Sequence, residues 1–176
     1  MTVVEDPQRR SDALYRQHAG TVKRYVLRRF DAQSADDVVS DVFVICWRRL
    51  ADVPDDPLPW LLAVASHVLA NRRRRDARQG ALARALRFER PPTPVAPSDV
   101  SPGTDVWRAL AALSPRDREL LLLVAWEGLS TARAARVLGV RANTCSARLS
   151  RARRRFARAL SAETRRAGFT GTEVMR

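Results

Sequence analysis

The chain is 176 residues long, 45% apolar, and carries 32 Lys+Arg against 19 Asp+Glu, a formal net charge of +13. That length holds one ordinary domain or two small ones, and the apolar content supports packed cores rather than wholesale disorder. No run reaches the ~18 uncharged apolar residues of a membrane span, and the stretch around Glu5, Asp6, Arg9 and Arg10 is not of signal-peptide kind, so a soluble cytoplasmic protein without membrane insertion is expected.

Leu14, His18, Val22, Val26 and Phe30 recur every four residues, with Tyr15 and Tyr25 beside them, which predicts a first amphipathic helix. A second helix opens at Ser34, an expected N-cap, with Asp37 three residues on near the positive helix end. Val38, Val39, Val42, Phe43, Ile45, Cys46 and Trp47 give it broad apolar coverage; its polar remainder is Asp36, Asp37, Ser40, Asp41 and Arg48. Asp37 and Asp41 share a face and repel by a few tenths of a kcal/mol, so either a basic partner or plain solvent faces them. A third helix begins after Pro57 and Pro59, with Trp60, Leu61, Val64, Ala65, Val68 and Leu69 as its stripe and Ser66, His67, Ala70 and Asn71 opposite. It runs into Arg72, Arg73, Arg74 and Arg75. Cations complement a helix C-terminus, but four in a row exceed that need, and arginine binds phosphate in bidentate fashion. His67 and Asn71, four apart, face either a base or water.

Five of the ten prolines fall between Pro91 and Pro102, so residues 88–104 read as an extended linker between helical domains at 10–87 and 105–162, with 163–176 as a short tail. Val106, Trp107, Leu110 and Leu113 start the second domain. Ser114, Pro115 and Asp117 then supply N-cap, N1 and N3 of a leucine-rich helix that Gly128 is placed to end. Ser130 caps a short helix to Leu138, Gly139 makes the turn, and a last helix spans about 143–160 with Cys145, Leu149, Ala152, Phe156 and Leu160 inward. The fold class is therefore all-α, two small helical domains, the second holding a helix-turn-helix.

The charge is uneven: residues 72–90 carry a net +6 and residues 128–176 a net +10, while the rest nearly cancels. Such blocks suit a polyanion, nucleic acid above all, and only Lys23 among the bases is lysine. The last helix would enter the major groove, with Arg141, Asn143, Thr144 and Ser146 toward base edges and Ala147 also outward. Arg148, Arg151 and Arg153 to Arg155 would meet phosphates. Cys46 and Cys145 read as reduced helix residues; no metal-ligand spacing, nucleophile motif or phosphate loop is present, so no metal, cofactor or enzymatic activity is expected.

Ser34 to Arg49, S-A-D-D-V-V-S-D-V-F-V-I-C-W-R-R, resembles the A-E-D-L-V-Q-D-V-F-x-x-x-W-x segment of bacterial sigma factors of the extracytoplasmic-function (ECF) group, in the sigma-70 family. Leu58 to Arg75 resembles the R-A-W-L-x-x-I-A-R-N segment that follows there. Leu110 to Leu160 resembles the group's last domain, through L-S-P-R-D-R-E-L-L-L-L, A-x-x-L-G-V and N-T-C-S-A-R-L-S-R-A-R. The resemblance implies a sigma factor that binds core RNA polymerase and directs promoter recognition, DNA opening and transcription initiation, without catalysis of its own.

Asp36, Asp37, Ser40, Asp41 and Arg48 would then meet the clamp helices of the polymerase largest subunit. His67, Asn71 and Arg72 to Arg75 would bind the −10 element, and Arg141, Asn143, Thr144, Ser146, Ala147, Arg148, Arg151 and Arg154 the −35 element. The second domain would also pack on the flap of the second-largest subunit, and an anti-sigma factor would be a further partner. The chain departs from the group's pattern at Ser66-His67, Asn71, Thr131 to Arg133, Arg141 and Ser146, which bears on promoter sequence rather than on role. Competing classes are a stand-alone helix-turn-helix regulator and an unspecific RNA-binding or interaction protein; the first would bind palindromic DNA without polymerase, the second would show steep salt dependence without specificity.

Overall fold

The computed structural model describes residues 6–30, 33–87 and 104–170; the linker expected at 88–104 lies outside them except for Thr104. The described residues are helical, with no strand among them, and the chain divides into two compact units, residues 1–92 and 93–176.

In the first unit, helices α1 (Pro7–Leu27), α2 (Ala35–Arg48) and α3 (Pro57–Arg87) each pack on the other two. Helix α1 starts before residue 10, because Pro7 sits at its N-terminal position and the Asp6 carboxylate accepts from the Gln8 N–H at 3.1 Å. Its buried residues are Leu14, His18, Val22, Tyr25 and Val26; Phe30 lies beyond its end. Ser34 occupies the N-cap position of α2, but its hydroxyl makes no capping bond: at φ −94°, ψ 0° the backbone is outside the extended geometry that aims the side chain at the free N–H groups. Helix α3 takes in both prolines, since neither needs an N–H in the first turn. It buries Leu61, Ala65, Val68 and Leu69, and also Leu62, which the single-stripe reading left out. The reason is packing: α3 lies against both α1 and α2, so two of its sides are covered, and Trp60 and Val64 are only half-buried. A one-turn 3₁₀ segment, Leu50–Asp52, joins α2 to α3, and Arg10 Nη2 holds its exit by donating to the Val53 carbonyl at 2.9 Å.

The second unit holds α4 (Thr104–Ala111), α5 (Pro115–Ala125), α6 (Thr131–Leu138) and α7 (Ala142–Thr170), with α7 packing on the other three. Both serine caps expected here form: Ser114 Oγ accepts from the Asp117 N–H at 3.2 Å and Ser130 Oγ from the Arg133 N–H at 3.3 Å. Gly139, at φ +63°, ends α6, with the Val140 N–H bonded to the Ala135 carbonyl at 3.0 Å and the Gly139 N–H to Arg136 at 3.3 Å. That left-handed turn sets the angle between α6 and α7. The Arg118 guanidinium takes up carbonyls left over at the end of α4, donating to Leu110 and Ala111 at 2.7 Å each and to Leu113 at 3.3 Å.

Helix α7 runs ten residues past its expected end, so 163–170 is helix and not tail; 171–176 lie outside the described residues. Alanines 157, 159 and 162 favour helix, Ser161 and Thr164 direct their hydroxyls to carbonyls one turn back, and Glu163 pairs with Arg166 at 2.8 Å. Cys145, Leu149 and Ala152 are buried as expected, whereas Phe156 and Leu160 are half-buried. Both cysteines are free, and burial pushes their thiols above the usual range, against nearby Arg10 and Arg148.

Candidate nucleic-acid interface

In the helix-turn-helix, α6 and the first turns of α7 bury Ala134, Ala135, Val137, Cys145 and Leu149, which leaves the other face of α7 outward. Arg141, Asn143, Thr144, Ser146 and Ala147 are all exposed, Arg148 is half-buried, and Arg151 and Arg154 are exposed further along. A helix with small polar side chains near its N-terminus and guanidiniums along its flank fits a major groove between phosphate rows.

Arg155 departs from that pattern. Its Nη1 donates to Asp117 Oδ2 at 2.5 Å, and Asp117 is 5% exposed. The sequence places Asp117 only as the acid of a helix start, and its pairing partner stands 38 residues away. Arg155 therefore ties α5 to α7. A second feature beyond the sequence reading is the stacked pair Trp107–Trp126, with ring centroids 5.4 Å apart and planes at 14°, both rings substantially exposed.

In the first unit the outward face of α2 holds Asp36, Asp37, Ser40, Asp41 and Arg48, all exposed, together with Val44 and Trp47. Those two apolar residues fall at the same helical spacing as the polar ones, 37–41–44–48 and 36–40–47, so Trp47, expected within the helix's apolar coverage, is turned outward instead. The acids are not bare: Lys23 Nζ lies 2.7 Å from Asp36 Oδ1, Arg72 Nη2 donates to Asp41 Oδ2 at 2.8 Å, and Arg72 Nη1 lies 3.9 Å from Asp37. Ser40 Oγ donates to the Asp36 carbonyl at 2.9 Å.

The four consecutive arginines of α3 do not act alike, because successive helical residues point about 100° apart. Arg72 faces α2. Arg73 Nη2 donates to the Arg29 carbonyl at 2.5 Å, closing the end of α1, and Arg74 Nη2 donates to Asn71 Oδ1 at 2.6 Å. Arg75 is exposed, as are His67 and Asn71. A cavity of about 280 Å³ opens between α2 and α3, where Asp41, Val44, Arg48, Asn71, Arg72 and Arg75 meet over Ile45 and Val68. The acidic face of α2 and the basic turn of α3 thus share one space. Among the described residues no His/Cys/Asp/Glu group could hold a metal ion, and no helix is long and apolar enough to cross a membrane.

Comparison with known proteins places matches on both units. The family described as sigma-70 region 2 matches residues 14–79, and that described as sigma-70, region 4 matches residues 104–156. The chain is 32% identical over 144 residues to the ECF RNA polymerase sigma factor SigL of Mycobacterium tuberculosis, covering 78% of this chain and 81% of that protein. It is 30% identical over 161 residues to the ECF sigma factor BldN of Streptomyces coelicolor, covering 86% and 61% respectively. Among solved structures it is similar to CnrH in complex with the cytosolic domain of CnrY, with TM-score 0.57, 28% identity, and coverage of 88% and 90%. The fold is also that of the sigma factor RpoE of Bartonella quintana, in complex with the anti-sigma factor NepR: TM-score 0.63 at 21% identity, covering 85% of this chain and 96% of that one.

Proposed function

This chain belongs to the ECF group of the sigma-70 family and directs promoter recognition, and from that premise we propose how its two units divide the work. The outward face of α2, with Asp36, Asp37, Ser40, Asp41 and Arg48, docks on the clamp helices of the polymerase largest subunit. Val44 and Trp47 lie on the same face and supply apolar contact. The outer side of α3, with His67, Asn71, Arg73, Arg74 and Arg75, holds the opened −10 element. Unstacking a base costs a few kcal/mol, and a surface that holds the flipped base and its phosphates offsets that cost. The second unit reads the −35 element with α7 and packs on the polymerase flap. The chemistry of RNA synthesis belongs to the polymerase, and the sigma factor works beside it in the cytoplasm. An anti-sigma factor is a further partner; the sigma factor RpoE, which shares the fold, has been solved with the anti-sigma factor NepR, and CnrH with the cytosolic domain of CnrY.

The observation that carries this reading is the outward row Arg141, Asn143, Thr144, Ser146 and Ala147 above the buried Cys145–Leu149 stripe, in a chain that also has a separate acidic helix face. A stand-alone helix-turn-helix regulator would leave that acidic face, and the whole region 2 match, without work. The reading is tested by adding the purified protein to core polymerase and mapping transcripts: specific initiation is expected only when both are present, and no association with core at low salt would overturn it. On the same templates, Asn143→Ala or Arg141→Ala is expected to reduce promoter affinity about tenfold and to relax preference at one −35 position, as loss of one base contact does. Arg154→Ala should instead weaken all sequences alike and reduce the salt slope by about one phosphate. Equal losses on every sequence for all three variants would defeat the division.

A further inference from the structure

Arg72 is claimed by two surfaces at once. Its guanidinium lies between the two acids of α2, 2.8 Å from Asp41 and 3.9 Å from Asp37. We propose that Arg72 is a positioning residue for polymerase docking, holding Asp37 and Asp41 in place on α2, and that it takes no part in DNA binding. The proposal rests on the reading of α2 as the docking helix.

Three observations carry it. The first is placement: Leu61, Ala65, Val68 and Leu69 form the buried stripe of α3, and Arg72 is its next position, three and four residues on. Its side chain is 24% exposed, whereas Arg73, Arg74 and Arg75 are all exposed. The second is charge. Asp37 and Asp41 repel each other one turn apart, and a single guanidinium within 4 Å of both offsets that repulsion while its hydrogen bond fixes the Asp41 carboxylate. The side chains of the acids stay 76% and 52% exposed, so oxygens remain open to a partner. The third is exclusion. A phosphate taking Nη2 would have to displace the Asp41 carboxylate, and would then sit beside two unneutralised acids. Arg73 and Arg74 carry no such conflict, because their guanidiniums donate to a carbonyl and to an amide oxygen.

The pair is exposed enough on the acid side that its loss costs the fold little, so the variants should remain folded. The experiment uses the full chain with core polymerase and measures two affinities separately. One is sigma for core. The other is saturated holoenzyme for a single-stranded oligonucleotide carrying the −10 sequence mapped by transcription. Arg72→Ala is expected to weaken core binding about tenfold, the effect of one charge-assisted hydrogen bond, with oligonucleotide affinity unchanged. Arg72→Lys should restore part of the loss. Asp41→Asn should also weaken core binding, and the double variant should be no weaker than the poorer single one. Unchanged core affinity with weakened oligonucleotide binding in Arg72→Ala would make it a DNA contact, and additive losses in the double variant would show that the two residues act independently; either overturns the proposal. Should Asp41→Asn leave core affinity untouched, the docking reading itself fails and takes the proposal with it.

Discussion

Replacing Asp37 and Asp41 together by arginine is expected to weaken binding of core RNA polymerase at least about 100-fold, roughly 2.7 kcal/mol. A single exposed ion pair is worth at most about 1 kcal/mol, so neutralising one acid would not reach that figure. Charge reversal at two positions does more, because each site loses an attraction and gains a repulsion against the same partner. It also brings two new guanidiniums to Arg72, which now sits 2.8 Å from Asp41. Asp37 lies in the first turn of α2, where a cation opposes the helix dipole by a further 0.3–1 kcal/mol or about that. The first unit should therefore lose about 1 kcal/mol of stability and remain folded, while the second unit, a separate compact body, should melt unchanged. Titrating core with labelled protein measures the loss, and unchanged affinity would take these acids off the docking surface.

Arg155→Ala is expected to destabilise the second unit by about 2 kcal/mol, lowering its melting temperature by roughly 10 °C. Removing one partner of a fully buried ion pair costs about 3–5 kcal/mol, because the other charge is left without compensation. Asp117 meets that condition, with its side chain 6% exposed, but Arg155 is 60% exposed, so water can reach the carboxylate once the guanidinium is gone. The expected figure is therefore lower. Pairing Arg155→Ala with Asp117→Asn should recover part of the loss, since no uncompensated charge then remains beside α5. The stacked Trp107–Trp126 pair gives a local signal for the melt, because coupled indole transitions in circular dichroism vanish when α4 and α5 separate. DNA binding by folded Arg155→Ala should keep the parent salt slope. A slope reduced as far as in Arg154→Ala, with no change in melting, would return Arg155 to the phosphate-contacting row.

These two residues show where reading along the chain stops. Arg153, Arg154 and Arg155 are identical in type and adjacent, and nothing local separates them. Arg155 is set apart by a carboxylate 38 residues away, which only the packing of α5 on α7 brings within 2.5 Å. Arg72 is a middle case. Its partner Asp41 is 31 residues distant, yet its place in the buried stripe of α3 follows from Leu61, Ala65 and Val68 by counting helical positions. The signal was there, and the run of four arginines hid it.

Local grammar carried further than charge did. Ser114 and Ser130 cap the helices they precede, and Gly139 takes the left-handed conformation its position between two helices demands. Ser34 has the same residue type as the other two but a different backbone conformation, and no capping bond follows. Capping depends on φ and ψ, which the helix-to-helix approach sets.

What the amino-acid order determined by itself is the set of helices, the division into two units, the outward row from Arg141 to Ala147 and the family that this pattern betrays. Helical periodicity, N-caps and glycine turns act over four or five residues, so they can be read one window at a time. What only the tertiary structure decided is which charged side chains remain available. Arg155 is committed to Asp117, Arg72 to Asp41, Lys23 to Asp36, and Val44 and Trp47 are turned outward. An ion pair forms between residues that helix packing brings within about 4 Å, and that distance is a property of the assembled bundle and of no single segment in it.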